Sequence, residues 1–214
     1  MERRIRMDLR HALRICVIPD IKAGAPLTIE EQAMQALQGG ATMIQLRCKE
    51  MNGRELYETA VRIIPACRKN GAFFIVNDRL DVALAAGADG VHLGREDLPV
   101  EAARRSVPKE FIVGATAHSA EEGTVAESAG ADYLGIGAAF PSGAKKNAGV
   151  IGVEGVRKVV AVLSIPAVAI GGISAENVSQ VMTAGVDGVA VISSVVACSD
   201  IAGAVRRLVS NMDG

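Results

Sequence analysis

Asp78 and Asp97 are the residues of this sequence whose type and place most suggest chemistry. Each follows a short apolar run, Asp78 at the end of residues 73–78 and Asp97 just after residues 90–94. If those runs are neighbouring parallel strands, their ends lie about 5 Å apart, close enough for two carboxylates to share one hard cation such as Mg2+. A cation held by two carboxylates commonly goes on to bridge phosphate oxygens. Three cations, Arg47, Lys49 and Lys145, fall in comparable places after apolar runs, with Asn77 beside them. Gln45, Arg47 and Lys49 alternate with Ile44, Leu46 and Cys48, so in a strand the polar three share one face. Together these residues suggest a Mg-diphosphate site. Two plainer readings stay open: Asp78 and Asp97 as helix caps, and Arg47 with Lys49 as an internal charge layer neutralised by carboxylates.

The elements that would position these residues can be read from a recurring phrase. Gly40-Ala41-Thr42, Gly87-Ala88-Asp89, Gly130-Ala131-Asp132 and Gly185-Val186-Asp187 each follow an Ala-rich amphipathic stretch and open a β-type run. A helix C-cap glycine, a tight turn and a strand explain the pattern. Intervals of 47, 43 and 55 residues each hold about two strand–helix units. Strands are expected over residues 14–20, 43–49, 73–78, 90–94, 112–116, 133–137, 166–172 and 188–193. Helices lie between them, as the spacing of Leu56, Ala60, Ile63, Ile64 and Cys67 illustrates. Eight apolar strands alternating with helices indicate an all-parallel sheet, and at 214 residues they indicate a closed single-domain (β/α)8 TIM barrel over an open doubly wound sheet. Residues 1–13 are read as an N-terminal extension and 14–214 as the barrel.

In such a barrel the active site stands at the C-terminal strand ends. Those ends carry the polar residues, whereas the opposite ends carry mostly the Gly-Ala-Asp turns. Gly171-Gly172 and Ser193-Ser194, after strands seven and eight, suit a phosphate held by backbone N–H groups. One multiply charged, metal-bound anion and one monophosphate in a single mouth suggest transfer with diphosphate as leaving group.

Composition narrows the alternatives. Half of the residues are apolar and 22% charged, which excludes intrinsic disorder. Aromatics make up 3% and net charge is -1, leaving neither a stacking platform nor a positive field for nucleic acid or a membrane surface. The N-terminal stretch has five arginines, but its apolar run is too short for a signal peptide, and no stretch reaches the ~18 apolar residues of a membrane span. Cys16, Cys48, Cys67 and Cys198 stand far apart, without metal spacing, and read as reduced thiols of a cytoplasmic protein. The partners expected are phosphorylated small molecules; a homo-oligomer is left open.

Several segments resemble the thiamine phosphate synthase and thiazole tautomerase family, over residues 14 to 210. Gln45-Leu46-Arg47-Cys48-Lys49 resembles its Q-L-R-x-K strand. Asn77-Asp78-Arg79, then Ala88-Asp89-Gly90-Val91-His92-Leu93-Gly94 and Asp97, resemble its N-D-R and G-A-D-G-V-H-L-G-x-x-D signature. Ala169-Ile170-Gly171-Gly172-Ile173 with Asn177, and Val189-Ala190-Val191-Ile192-Ser193, resemble its phosphate-loop segments. The resemblance implies that Gln45, Arg47, Lys49, Asn77, Thr116 and Lys145 hold an aminopyrimidine diphosphate, with Arg47, Lys49 and Lys145 catalytic. It implies Mg2+ on Asp78 and Asp97, and a thiazole phosphate at Ser142, Gly143, Ala144, Gly172, Ile192 and Ser193. Thr116 stands where the family usually has Ser, Ser142 and Ala144 where it has two Thr, and the first strand lacks the usual Val-Thr-Asp ending. Losing the hydroxyl at Ala144 would weaken thiazole binding about tenfold at most. A sister branch, the tautomerase, uses a His where His118 stands and needs no metal; a plain helix-start histidine is the other reading of His118. A non-catalytic phosphate-binding regulator is the remaining alternative.

Overall fold

The apolar runs become eight parallel strands that close in chain order, with β8 pairing back to β1. The computed structural model describes residues 9–141 and 149–212. The strands are β1 (Ile15–Val17), β2 (Met43–Leu46), β3 (Phe73–Asn77), β4 (Gly90–Leu93), β5 (Ile112–Ala117), β6 (Tyr133–Gly137), β7 (Ala167–Ile170) and β8 (Gly188–Val191). The helices are α1 (Ile29–Gly39), α2 (Gly53–Lys69), α3 (Leu80–Ala86), α4 (Val100–Ser106), α5 (Ala120–Ser128), α6 (Gly152–Val160), α7 (Val178–Met182), α8 (Ser193–Val196) and α9 (Ile201–Met212). This is the single-domain (β/α)8 barrel that the alternation implies.

Helix starts follow from local chemistry. Thr28 with Glu31 and Asn52 with Glu55 form reciprocal capping boxes at α1 and α2, satisfying N–H groups the first turn leaves unpaired. Leu56, Ala60, Ile63, Ile64 and Cys67 are all buried along α2, as their spacing requires.

Several strands are shorter than their apolar runs. β1 ends at Val17 and β2 at Leu46, so Arg47 and Lys49 stand on the loop beyond β2 and of the alternating polar three only Gln45 lies on the strand. Polar residues there find partners outside the ladder. The Asp20 carboxylate accepts the N–H groups of Lys22 and Ala23 at 2.9 and 2.8 Å, turning the chain toward α1.

The recurring phrase builds the N-terminal end of the barrel. Gly40, Gly87, Gly130 and Gly185 all take positive φ, where a Cβ would be strained. The residue two places on then reaches back to the preceding strand. Thr42 Oγ1 accepts from Ile15 N–H at 2.9 Å, and the carboxylates of Asp89, Asp132 and Asp187 accept from Phe74, Val113 and Ala167 at 2.7, 2.8 and 2.9 Å.

Two apolar layers result. One lies between the strands and the helices. The other fills the lumen with Cys16, Met43, Ile75, Ile112, Tyr133, Val168 and Ala190, and Leu9 and Leu13 close it from below. Residues 9–12 are helical, and Arg10 pairs with Asp187. All four cysteines are free thiols. Among the described residues no helix is long and apolar enough to cross a membrane.

Candidate active site

The end of β3 carries Asp78 in a left-handed backbone conformation, with φ 65°, the one non-glycine residue with positive φ among those described. Such a conformation costs energy and persists where surrounding contacts impose it. Here the Asp78 N–H donates to the His92 carbonyl at 2.8 Å, locking the end of β3 to β4. After β4, Asp97 accepts the Gly94 N–H at 2.7 Å, which folds its loop back toward Asp78. Asp97 thereby stands close enough to act on the Asp78 carboxyl.

Burial, then the hydrogen bond and charge of Asp97, raise the Asp78 carboxyl from 3.8 to about 6, while Lys49 and Arg47 act in the opposite direction. Neither aspartate caps a helix: α3 and α4 begin after Arg79 and Pro99, without side-chain caps. Nor do the cations form a layer inside the barrel, since Lys49 is exposed and Arg47 half-buried at the mouth. Two carboxylates pressed together beside two cations suit a divalent ion. Among the described residues no third His, Cys, Asp or Glu joins them to make a closed metal cage. Phosphate oxygens and water would complete a Mg2+ shell there.

Beneath the mouth a polar chain crosses the lumen. His92 on β4 is 8% exposed; its Nδ1 lies 3.1 Å from the Tyr133 hydroxyl and its Nε2 3.0 Å from Thr116 Oγ1. Burial, and to a lesser extent Cys16, push the Tyr133 hydroxyl well above its usual 10, while the neighbouring Gln45 side chain opposes the rise. Asn77 stands at the end of β3, in register with His92. Thr116 is thus joined to Tyr133 through His92, and sequence reading singled out neither His92 nor Tyr133. The signal was there: counted from the turn residue Asp89, alternation sends His92 to the same face as Gly90, into the lumen.

On the opposite side, Gly172 follows β7. Its carbonyl accepts from Asn177 Nδ2 at 2.9 Å, and Asn177 Oδ1 accepts the Ser174 N–H at 2.8 Å, so the loop is braced from within. Ile192 and Ser193 follow β8, with Ser193 exposed at the start of α8. Behind it the buried Ser194 hydroxyl has no hydrogen-bond partner among the described residues. Ser142, Gly143, Ala144 and Lys145 lie outside the described residues. His118 donates its backbone N–H to Glu122 at 2.7 Å, and its Nδ1 contacts the Gly137 carbonyl, so the residue is anchored at the start of α5.

A family model described as thiamine monophosphate synthase matches residues 15–195. A thiamine-phosphate synthase of Coprothermobacter proteolyticus is 49% identical over 201 residues, covering 94% of this chain and 95% of that protein. The chain belongs to the thiamine monophosphate synthase family. A second family member, the thiamine-phosphate synthase of Pyrococcus abyssi, is 48% identical over 94% of this chain and 96% of its own. The solved thiamine phosphate pyrophosphorylase of Pyrococcus furiosus superposes with a TM-score of 0.88 at 45% identity, over 96% of this chain and 98% of that one. A 3-hexulose-6-phosphate synthase, at TM-score 0.72 and 16% identity, shares the fold alone. The match of the thiamine monophosphate synthase family runs from β1 into α8, so it takes in every strand end that carries a site residue.

Proposed function

We propose that this protein is a thiamine-phosphate synthase, an alkyl transferase of thiamine biosynthesis. It joins 4-amino-2-methyl-5-(diphosphooxymethyl)pyrimidine to thiazole phosphate, giving thiamine phosphate and diphosphate. What supports the reading is that Asp97, Lys49 and Arg47 all act on the Asp78 carboxyl, in a chain of this family.

Gln45, Asn77 and Thr116 receive the pyrimidine, while Arg47, Lys49 and Lys145 surround its diphosphate. Gly172, Ile192 and Ser193, with Ser142, Gly143 and Ala144, receive the thiazole phosphate. The methylene C–O bond breaks and its electron pair leaves with diphosphate, where Arg47, Lys49 and Lys145 neutralise the charge that develops. The thiazole nitrogen supplies its lone pair to the methylene carbon, forming the C–N bond. That nitrogen has no proton to lose, so no base is required, and positioning supplies the rest of the rate. Mg2+ on Asp78 and Asp97 would add charge neutralisation at the diphosphate. His118, held by Glu122 and Gly137, takes no part in these steps.

Supplying both phosphorylated halves with Mg2+ and measuring inorganic diphosphate tests the reading. Asp78→Ala and Lys145→Ala are expected to abolish release in a folded barrel. Near-normal turnover by either variant would overturn the site. No diphosphate release, together with a metal-independent isomerisation of a thiazole phosphate that is lost in His118→Ala, would instead favour a tautomerase.

A further inference from the structure

The loop after β7 has its carbonyls tied and its N–H groups left over. The Gly171 carbonyl accepts the Phe140 N–H, from the segment after β6, at 3.0 Å. The Gly172 carbonyl accepts from Asn177 Nδ2 at 2.9 Å, and Asn177 Oδ1 is itself fixed by the Ser174 N–H at 2.8 Å. Both peptide bonds are trans, and in a trans peptide the C=O and the N–H point in opposite directions. The N–H groups of those two peptides belong to Gly172 and Ile173, and neither has a partner among the described residues. Ile173 is buried, where an unpaired N–H is costly. Asn177 stands immediately before α7, in the helix layer outside the strands, so the Ile173 N–H faces the other way, into the barrel mouth. Glycine is what lets the loop take this course: Gly171 and Gly172 both have positive φ, and a Cβ on Gly172 would lie 2.6 Å from the Pro141 carbonyl oxygen. Beyond the neighbouring strand β8, the buried Ser194 hydroxyl also lacks a partner among the described residues.

We propose that Asn177 is a positioning residue: by holding the Gly172 carbonyl in the helix layer, it aims the Ile173 N–H, beside that of Gly172, at the phosphate of the thiazole substrate. The inference rests on the function proposed above, which places that phosphate at Gly172. Asn177 itself does not touch the substrate; it fixes the sense of one peptide bond. Turned over, the same peptide would set a carbonyl oxygen against a phosphate oxygen, exchanging attraction for repulsion with little change in the path of the loop. An N–H bonded to a charged acceptor is stronger than one bonded to a neutral acceptor, so the loss falls on the phosphate. The thiazole ring, which carries no charge to meet this peptide, is indifferent to Asn177.

Thiamine phosphate and thiamine differ only in this phosphate, and without diphosphate neither can react. Calorimetry of each on the full chain with Mg2+ therefore isolates the phosphate from turnover. The wild-type protein is expected to prefer thiamine phosphate by at least about thirtyfold, and Asn177→Ala to narrow that preference about tenfold while binding thiamine as before. An unchanged preference in a folded Asn177→Ala, or an equal weakening of both ligands, overturns the inference, the second because it is what a merely structural role produces. In turnover, the KM for thiazole phosphate should rise at least about tenfold in Asn177→Ala while that for the pyrimidine diphosphate stays within about twofold; equal rises overturn it as well. Nitrogen-15 NMR of the wild-type protein needs no variant: an Ile173 amide that moves downfield with thiamine phosphate but not with thiamine supports the proposal, and one that responds to neither overturns it. A phosphate preference that collapses in Asn177→Ala, in a protein that releases no diphosphate from the two halves, supports the role of Asn177 while overturning the proposed reaction.

Discussion

Asp78 ties backbone conformation, charge and metal preference to one residue. Its left-handed backbone brings its carboxyl to Asp97, and burial beside that second carboxyl raises it to about 6 from 3.8. The folded, metal-free protein therefore holds this proton more tightly than the unfolded chain does. The contribution to stability is fully present below 3.8 and is lost as pH rises through about 6. A divalent ion competes with the same proton. At one subsaturating Mg2+ concentration the rise in melting temperature should thus be larger at pH 7.5 than at pH 5; an equal rise at both would contradict the shared site. A second residue-scale prediction concerns the lumen. Gly114→Ala places a methyl 2.3 Å from two ring atoms of Tyr133, which is fully buried and bonded to His92. Overpacking of this kind costs about 1–3 kcal/mol. Urea denaturation measures it, and a change within about 0.5 kcal/mol, the usual scale for a surface site, would show that the ring has room to move.

At the scale of the element, the barrel is four copies of one joint. A left-handed glycine stands at or just beyond the helix end, and two residues later a side-chain oxygen binds an N–H at the start of the preceding strand. The glycine half of that joint is legible in the sequence because its cause is local. The oxygen half is not, because its partner lies 27, 15, 19 or 20 residues back and comes near only when two strands pair. For a related reason the strands read too long. An apolar run shows what can be buried, whereas a ladder stops where polar groups find other partners, as Asp20 does with Lys22 and Ala23. Asp78 and Asp97 were legible as a pair because neighbouring parallel strands have neighbouring ends. His92 and Tyr133 were not, because a polar ring among apolar neighbours looks like core until the lumen-facing register is known. The joint predicts its own mutational signature. Asp89→Ala leaves the Phe74 N–H without its acceptor in a buried place, at a cost of about 1–3 kcal/mol. Asp89→Asn keeps an acceptor oxygen and removes a carboxyl that burial disfavours, so it should cost less. Chemical denaturation of both variants checks the order, and equal losses would deny the carboxylate its bonding role.

Across the whole molecule, stability and chemistry occupy opposite ends of one lumen. The apolar lumen cluster is closed at the N-terminal end by Leu9 and Leu13, while Gln45, His92 and Thr116 lie nearer the mouth, where Asp78 and Asp97 stand. Tyr133 belongs to both levels: its ring packs in the apolar cluster and its hydroxyl meets His92. The layered lumen lets the floor be rebuilt at a distance from the strand ends that carry the charges. Leu13 is fully buried against that floor, so Leu13→Ala opens a cavity costing about 2–5 kcal/mol. If the two ends are separable, the variant melts earlier in denaturant yet, at a temperature where it is folded, releases diphosphate at close to the wild-type rate and with the same Mg2+ requirement. A loss of turnover matching that of Asp78→Ala in the folded variant would show instead that the lumen transmits packing changes from its floor to the proposed site at the mouth.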